Sequence, residues 1–349
     1  MAYGGGNITF SNHSERTANG SAASAFDYCH SLYLHSRILV PLLHAVVTTV
    51  GLSINLCMML VLFRDLRRPS TGSLTRSGSL RGVSWNFQYF LFHIGLCHIC
   101  MLTTIPVWIT QTVFAQGWIF GYAGCKAVKG LITFSMQYGI LTTVYINAER
   151  FVRVVYNKTR IKCGNSKTRI RTCLLCACLP AISCLTDVYF YTTVELGRNV
   201  VMCVSTADPR VKLAVLWIRT IICFVAPVAV LALCNGALVY TVKRHVRKVS
   251  LLGVIPRSSL KGAQIIPLLT VTFFVCCWIP WIVSSVYYSF SQVRVRCPVT
   301  VFTVINVSMA VGNVHCVMTP AMYLFVRARR AKFSQTTGRT GPKWFSLRK

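Results

Sequence analysis

Acidic residues are scarce in this chain. Asp and Glu number 7 among 349 residues, against 37 Lys and Arg, which gives a formal net charge of +30. No acid lies in the middle of an apolar stretch, and the sequence has no internal repeat. Transporters and channels usually carry intramembrane carboxylates, interrupted helices or repeats. These absences therefore argue against a transporter or channel, and a membrane transporter stays only a distant alternative.

The chain also lacks the cysteine and histidine spacing of a metal centre. No CxxC among its 17 cysteines pairs with a second CxxC or with a His pair, and most cysteines lie in apolar stretches where a thiol acts as a small apolar group. His98 and His315 resemble two ligands of an intramembrane metal hydrolase, but the sequence supplies no third. We therefore predict no metal, no cofactor and no enzymatic activity.

The chain is rich in long apolar stretches. Hydrophobic residues make up 54% of it and the mean hydropathy is +0.55, which is typical of a polytopic membrane protein. Only helices can use apolar runs of this length in lipid, so we predict an all-α bundle of seven transmembrane helices. The predicted spans are 38–63, 85–113, 122–151, 172–194, 213–242, 263–290 and 299–326. The basic residues lie between these spans, so nucleic acid is not an expected partner.

The arrangement of polar segments predicts an orientation. The segments 64–84, 150–171, 243–262 and 327–349 hold 27 of the 37 Lys and Arg, which places them inside the cell and in contact with anionic membrane lipids. Three glycosylation sequons occur near the N-terminus, at Asn7, Asn12 and Asn19. We thus expect an extracellular tail (1–37), a membrane domain (38–326) and a basic cytoplasmic tail (327–349) in the plasma membrane, with the first apolar run serving as an uncleaved first span.

One motif anchors a family resemblance. Glu149, Arg150 and Phe151 end the third span, and Cys125 lies 25 residues before Arg150, about 37 Å along a helix. This combination resembles class A (rhodopsin-like) G-protein-coupled receptors, in which such a triplet ends the third helix and a cysteine starts it. The resemblance extends over about residues 38–333.

Further motifs support the resemblance. Span six contains Cys277-Trp278-Ile279-Pro280, span seven ends with Thr319-Pro320-Ala321-Met322-Tyr323, and span two contains Thr104-Ile105-Pro106-Val107-Trp108. By this resemblance the protein binds an extracellular ligand and a heterotrimeric G protein, and a short amphipathic helix follows the seventh span. The implied activation switch comprises Glu149, Arg150, Phe151, Trp278, Pro280, Pro320 and Tyr323.

Outer cysteines point to a branch of the family. The resemblance implies the disulfides Cys125–Cys203 and Cys29–Cys297, the second of which is common in chemokine and nucleotide receptors. Met309 stands near the place where chemokine receptors carry a Glu, and the N-terminal tail contains only two acids. An orphan or virus-encoded relative of the chemokine and nucleotide receptors fits better than a chemokine receptor, although a chemokine-like, constitutively active or non-signalling receptor remains an alternative.

The family's sodium site is altered in this sequence. His98 occupies the place of the sodium-binding Asp, and Gly139, His315 and Thr319 occupy the other matching places. A sodium ion needs hard oxygen ligands, so we do not expect sodium control of this receptor.

The predicted outer pocket is basic. Arg219 lies about 9 Å into the fifth span, where it must snorkel, pair or face a cavity, and Lys126 and Lys129 start the third span. If Arg219 faces a cavity, the pocket favours an anionic ligand such as a carboxylate lipid, a nucleotide or an acidic peptide. The candidate ligand-binding residues are Arg219, Lys129, Trp108, Trp278 and Met309.

Overall fold

The computed structural model describes residues 19–67, 78–113, 117–156, 166–196, 200–250, 272–288 and 298–337. Within these ranges the chain is almost entirely helical. The elements are α1 (Asn19–Arg67), α2 (Gly78–Val113), α3 (Gly121–Val155), α4 (Ser166–Phe190), β1 (Tyr191–Leu196), β2 (Val200–Ser205), α5 (Pro209–Thr220), α6 (Ala226–Ser250), α7 (Thr272–Tyr288), α8 (Pro298–Asn313) and α9 (His315–Thr337).

The helices form a bundle around α3. This helix packs against α2, α4 and α6, while α1 packs against α2, α8 and α9. Five helical stretches are long and apolar enough to cross a membrane: 35–65, 87–111, 167–190, 209–241 and 303–329. Together with α3 and α7, they account for the seven spans expected from the sequence. The predicted seven-helix membrane bundle is confirmed.

Some boundaries differ from the predicted spans. Helix α1 begins at Asn19, well inside the segment assigned to the extracellular tail. Helix α4 ends at Phe190, and the last residues of the predicted fourth span instead form strand β1. Strand β1 pairs antiparallel with β2 from Tyr191↔Ser205 to Leu196↔Val200. Both strands are rich in β-branched residues, which favour extended structure once the chain has left the lipid.

The fifth span is one long helix with a wide turn. A π-helical segment, Ile221–Val225, joins α5 to α6, and the Ala226 amide donates to the Ile221 carbonyl five residues earlier. Pro227 follows directly and has no amide hydrogen to donate. The wide turn therefore sits where a proline removes a bond from the regular helical ladder.

The seventh span is interrupted at Val314, between α8 and α9. The Val314 amide donates to the Val311 carbonyl, and the Val314 carbonyl accepts from Val317 and Met318, so a tight turn replaces the regular ladder. After the interruption α9 runs without a break to Thr337. The segment predicted as a short helix after the seventh span is thus helical, but it continues α9 instead of forming a separate element.

Candidate functional site

A disulfide joins the start of α3 to β2. Cys125 and Cys203 are both buried, and their Cα atoms lie 5.6 Å apart. The Cys203 amide also donates to the Gln111 side chain at the end of α2. The predicted Cys125–Cys203 bond is therefore confirmed, and it holds the β-hairpin across the ends of α2 and α3.

The turn before α3 closes against the same hairpin. The Trp118 amide donates to the Val201 carbonyl at 2.6 Å, and its indole donates to the Gly121 carbonyl at 2.8 Å. Gly117 has φ +76°, and a Cβ there would lie 2.2 Å from the Val201 carbonyl oxygen. Only glycine fits this approach, so the cap formed by the hairpin and this turn depends on the backbone at Gly117.

Lys129 lies beneath the cap between two aromatic rings. Its Nζ is 3.9 Å from the centroid of the Trp108 ring and 4.7 Å from that of Tyr191. Lys126, one turn earlier, lies over the Tyr122 ring and donates to the Val188 carbonyl. Among the described residues, Lys129 is held by aromatic faces and not by a carboxylate, so its ammonium keeps hydrogen-bond donors for another group.

Arg219 forms an ion pair and two further hydrogen bonds with α4. Its Nη2 contacts Asp187 Oδ1 at 2.8 Å, Thr186 Oγ1 at 2.9 Å and the Ser183 carbonyl at 3.1 Å, all on α4. Asp187 is buried, and its other oxygen accepts from Thr133 on α3. The sequence left three possibilities for Arg219, which are snorkelling, an ion pair or a cavity-facing position. The structure contains the ion pair. The Arg219 guanidinium therefore links α5 to α4, and its role as a ligand contact stays a prediction.

Trp278 lies at the centre of the bundle core. It is buried among residues of α1, α2 and α9, and Met309 packs against the same cluster. A Cβ on Gly312 would lie 3.2 Å from the Trp278 ring, so the missing side chain at Gly312 makes room for the indole. Pro280 lies two residues later within α7, in the half-buried part of the helix. Trp278 of the predicted switch is thus packed in the core, and Pro280 lies at its half-buried edge.

His315 contacts Trp278 from the first residue of α9. Its Nδ1 lies 3.2 Å from Trp278 Nε1 and 2.7 Å from the Gly312 carbonyl oxygen. These contacts need different tautomers, because Nδ1 accepts from Trp278 only without a proton and donates to Gly312 only with one. The protonation of this single nitrogen therefore decides which of the two groups it binds.

Asn55 connects three helices beside His315. Its amide nitrogen donates to the Gly51 carbonyl at 2.8 Å and to the Cys316 carbonyl at 2.9 Å, while Oδ1 lies 3.2 Å from His98 Nδ1. In a regular helix the Cys316 carbonyl would accept from residue 320, but Pro320 has no amide hydrogen. Asn55 supplies the missing donor, which gives the polar residue of the first span a defined structural role.

Glu149 and Arg150 lie near the other end of α3. Glu149 accepts a hydrogen bond from Arg153, four residues on, and both side chains are largely buried. Arg150 is exposed, and Phe151 makes an edge-to-face contact with Tyr156 at 5.7 Å. The contact between Glu149 and Arg153 is an (i, i+4) ion pair within the last turns of α3.

The middle of α9 is tied to α1. Tyr323 packs against a cluster formed by Met58, Leu62 and Leu91. One turn later both guanidinium nitrogens of Arg327 contact the two oxygens of Asp65, with Nη2 to Oδ1 at 3.0 Å. This two-point pair positions the end of the seventh span against the end of the first.

Several predicted sites lie outside the described side chains. They are Asn7, Asn12, Asn19, Cys29 and Cys297. The glycosylation sites and the Cys29–Cys297 bond consequently stay predictions.

The bundle has seven spans. A disulfide-bonded cap lies at one end of α3, and Glu149 and Arg150 lie near the other end. This is the architecture of a helical membrane receptor. The family model "7 transmembrane receptor (rhodopsin family)" matches residues 73–323. This chain belongs to that family, and it is a G-protein-coupled receptor and not an enzyme.

Curated relatives agree with this assignment. The mouse type-2 angiotensin II receptor is 22% identical over 89% of this chain and 83% of its own length. A purinoceptor from rat is 22% identical over 82% of this chain and 76% of its own. A G-protein coupled receptor from equine herpesvirus 2 is 22% identical over 82% of this chain and 70% of its own. The expected likeness to nucleotide-receptor-like and virus-encoded members is therefore found.

Sequence reasoning missed two features of the core. Asp187 does not appear among the candidate site residues from the sequence, whereas in the structure it is the buried partner of Arg219. Two opposite charges at similar depth in neighbouring spans were the available signal, since an intramembrane charge needs a partner. Cys316 was also not recognised as a neighbour of His98 and His315, and no sequence spacing would have indicated it.

Proposed function

We propose that the receptor works at the plasma membrane with its N-terminus outside, and that it passes the signal of an extracellular ligand to a heterotrimeric G protein. The observation that carries the proposal is the course of α3, which connects the cap at Cys125 with Glu149 and Arg150. Trp278 packs in the core between these two ends. A ligand that binds one arrangement of this core better than another shifts the population toward that arrangement.

The charge distribution supports this orientation. The four segments assigned to the Arg150 side contain 27 of the 37 Lys and Arg, as expected for cytoplasmic loops. Disulfides form in oxidising compartments, which favours an extracellular cap. The sequons at Asn7, Asn12 and Asn19 lie on the same side under this topology.

We assign the ligand contact to Lys129 and the aromatic residues around it. A cation held between Trp108 and Tyr191 has its chain fixed while its ammonium still offers donors, which suits an anionic group. Met309 and Trp278 supply apolar surface in the core that Trp108 also joins. The names of the relatives place angiotensin II and purines among the ligands taken in this family.

Guanine-nucleotide exchange tests the coupling. We expect membranes from cells expressing the wild-type receptor to exchange nucleotide faster than membranes expressing Arg150→Ala at the same surface level. Arg171→Ala is the matched control, because it removes another exposed arginine from the same proposed side of the membrane. Equal exchange by the wild type and by Arg150→Ala, with and without agonist, would contradict coupling through Arg150.

A screen of anionic ligands tests the outer site. An agonist found in this way should lose potency about tenfold or more with Lys129→Ala, since a charge-assisted contact contributes roughly 1.5–3 kcal/mol. Lys129→Arg should retain most of the response because it keeps the charge and the aromatic contacts. A cationic agonist, or one indifferent to Lys129→Ala, would contradict the assignment.

A further inference from the structure

Three metal-ligating side chains meet in the middle of the bundle. One ring nitrogen each of His98 and His315 and the sulfur of Cys316 all lie within 4.8 Å of one another. His98 comes from α2, whereas His315 and Cys316 are the first two residues of α9. Adjacent residues of a regular helix point about 100° apart. Here the interruption at Val314 precedes both residues, and both side chains approach His98.

The separation between the His315 and Cys316 donors suits a transition metal ion. Cys316 Sγ lies 3.6 Å from His315 Nε2. Bond lengths of about 2.05 Å to nitrogen and 2.3 Å to sulfur give an N···S separation of about 3.6 Å around a tetrahedral zinc ion. Sγ is almost as close to Nδ1, at 3.7 Å. Coordination therefore uses one of these two nitrogens, and the hydrogen bond made by the other selects which one it is.

Neighbouring groups orient both imidazoles. His98 Nδ1 lies 3.2 Å from Asn55 Oδ1, and His315 Nδ1 lies 2.7 Å from the Gly312 carbonyl. Each oxygen accepts a proton held on Nδ1, which leaves Nε2 of each ring as the ligand atom. Metal-binding histidines are usually fixed by such a bond from the second ring nitrogen. The donor set and its supporting contacts thus have the chemistry of a built site.

We propose that His98, His315 and Cys316 bind a zinc ion that links α2 to α9. Imidazole and thiolate are ligands that zinc prefers and that sodium, magnesium and calcium do not. The Cys316 thiol loses its proton when it binds, and water or hydroxide completes the fourth position. The site replaces the hard oxygen ligands of a sodium site with softer donors. It also places the ring of a metal ligand, His315, next to the Trp278 ring, with 5.4 Å between the ring centroids.

Metal analysis of the full-length receptor tests the proposal. The protein is purified in lipid nanodiscs through an affinity tag without histidine, and its zinc content is measured by mass spectrometry. We expect one zinc ion per chain in the wild type and a loss of at least about tenfold in Cys316→Ser and His98→Asn. Cys234→Ser and His93→Asn are matched controls that remove a buried thiol and a second α2 histidine outside the three-residue cluster. These controls should keep their zinc.

Cobalt gives a readout that does not depend on the folding of any variant. Wild-type receptor loaded with Co²⁺ should show a thiolate-to-cobalt charge-transfer band in the near ultraviolet, and zinc should displace it. Zinc, but not magnesium, should also raise the thermal midpoint of metal-depleted wild type, because a ligand bound only by the folded state stabilises it. Wild type that holds no zinc and gives no cobalt band would overturn the proposal. Equal zinc content in wild type and Cys316→Ser would overturn it as well.

Discussion

Arg219 Nη2 and Asp187 Oδ1 lie 2.8 Å apart, and this contact joins the fifth helical span to the fourth. Asp187 also accepts from Thr133, so one carboxylate connects three spans. A buried charge that loses its partner is far less stable than the pair. Arg219 therefore has a structural role, and its substitution is expected to change the stability of the bundle whether or not it also changes ligand binding.

Removing this pair should lower stability unequally. Arg219→Ala leaves Asp187 buried without its cation, and we expect a loss of about 3 kcal/mol and reduced surface expression. Asp187→Ala should be milder, because the Arg219 side chain is 24% exposed and can turn toward the headgroups. Arg210→Ala, at the exposed start of the same span, is the control. Thermal melts in detergent of the two single variants and the double variant measure the coupling, and additive losses would contradict it.

Asn55 and Pro320 should be thermodynamically coupled through the Cys316 carbonyl. Asn55→Ala removes the donor to that buried oxygen, and we expect a loss of about 2–4 kcal/mol when its other contacts are included. Pro320→Ala restores a backbone amide that can bond Cys316. The double variant should therefore be more stable than the sum of the single changes predicts. The thermal midpoints of the wild type, the two single variants and the double variant measure this coupling. Strictly additive losses of stability would count against the role assigned to Asn55.

Gly312 should be intolerant of larger side chains. A Cβ there already lies 3.2 Å from the Trp278 ring, so the extra methyl groups of Gly312→Val must displace the indole. We expect a loss of about 1–3 kcal/mol and a changed basal rate of nucleotide exchange. At Gly236 no atom lies within 4 Å of an added Cβ, so Gly236→Ala should be neutral or slightly stabilising. Similar melts for the two variants would show that Gly312 does not confine Trp278.

Ligand-free signalling is expected from the sequence of the sixth span. The family often holds the arginine of the triplet with an acid at the start of helix six, and residues 243–265 contain no Asp or Glu. Loss of a contact of roughly 1–3 kcal/mol raises the active fraction about five- to a hundredfold. The place of the acid falls near Leu260, which lies outside the described residues.

Basal nucleotide exchange by the wild type should therefore exceed that of Arg150→Ala. Leu260→Glu should lower the basal rate by restoring an acidic partner, while the neutral control Leu260→Gln should not. A basal rate that falls equally in both variants would point to a loss of folding, and an unchanged rate in Leu260→Glu would refute the missing contact as its cause.

The sequence alone determined the class of this protein. Apolar runs of membrane-spanning length require helices, because lipid offers backbone groups no other partner, and the spacing of Cys125, Arg150, Trp278 and Pro320 identified the family. Cys203 followed from the same resemblance. These features depend on length, polarity and chain order, which a sequence states directly.

The tertiary structure decided which polar side chains meet. Helix rotation and depth brought Arg219 to Asp187, and the packing of α9 against α2 brought His315 and Cys316 to His98. These contacts cannot be predicted from hydropathy, because lipid-facing and core-facing positions are equally apolar in a membrane helix. The end of α4 at Phe190 is a similar case, since the β-hairpin that follows exists through pairing with β2 and the bond at Cys203. Such contacts depend on how neighbouring helices pack, and only the folded bundle contains that information.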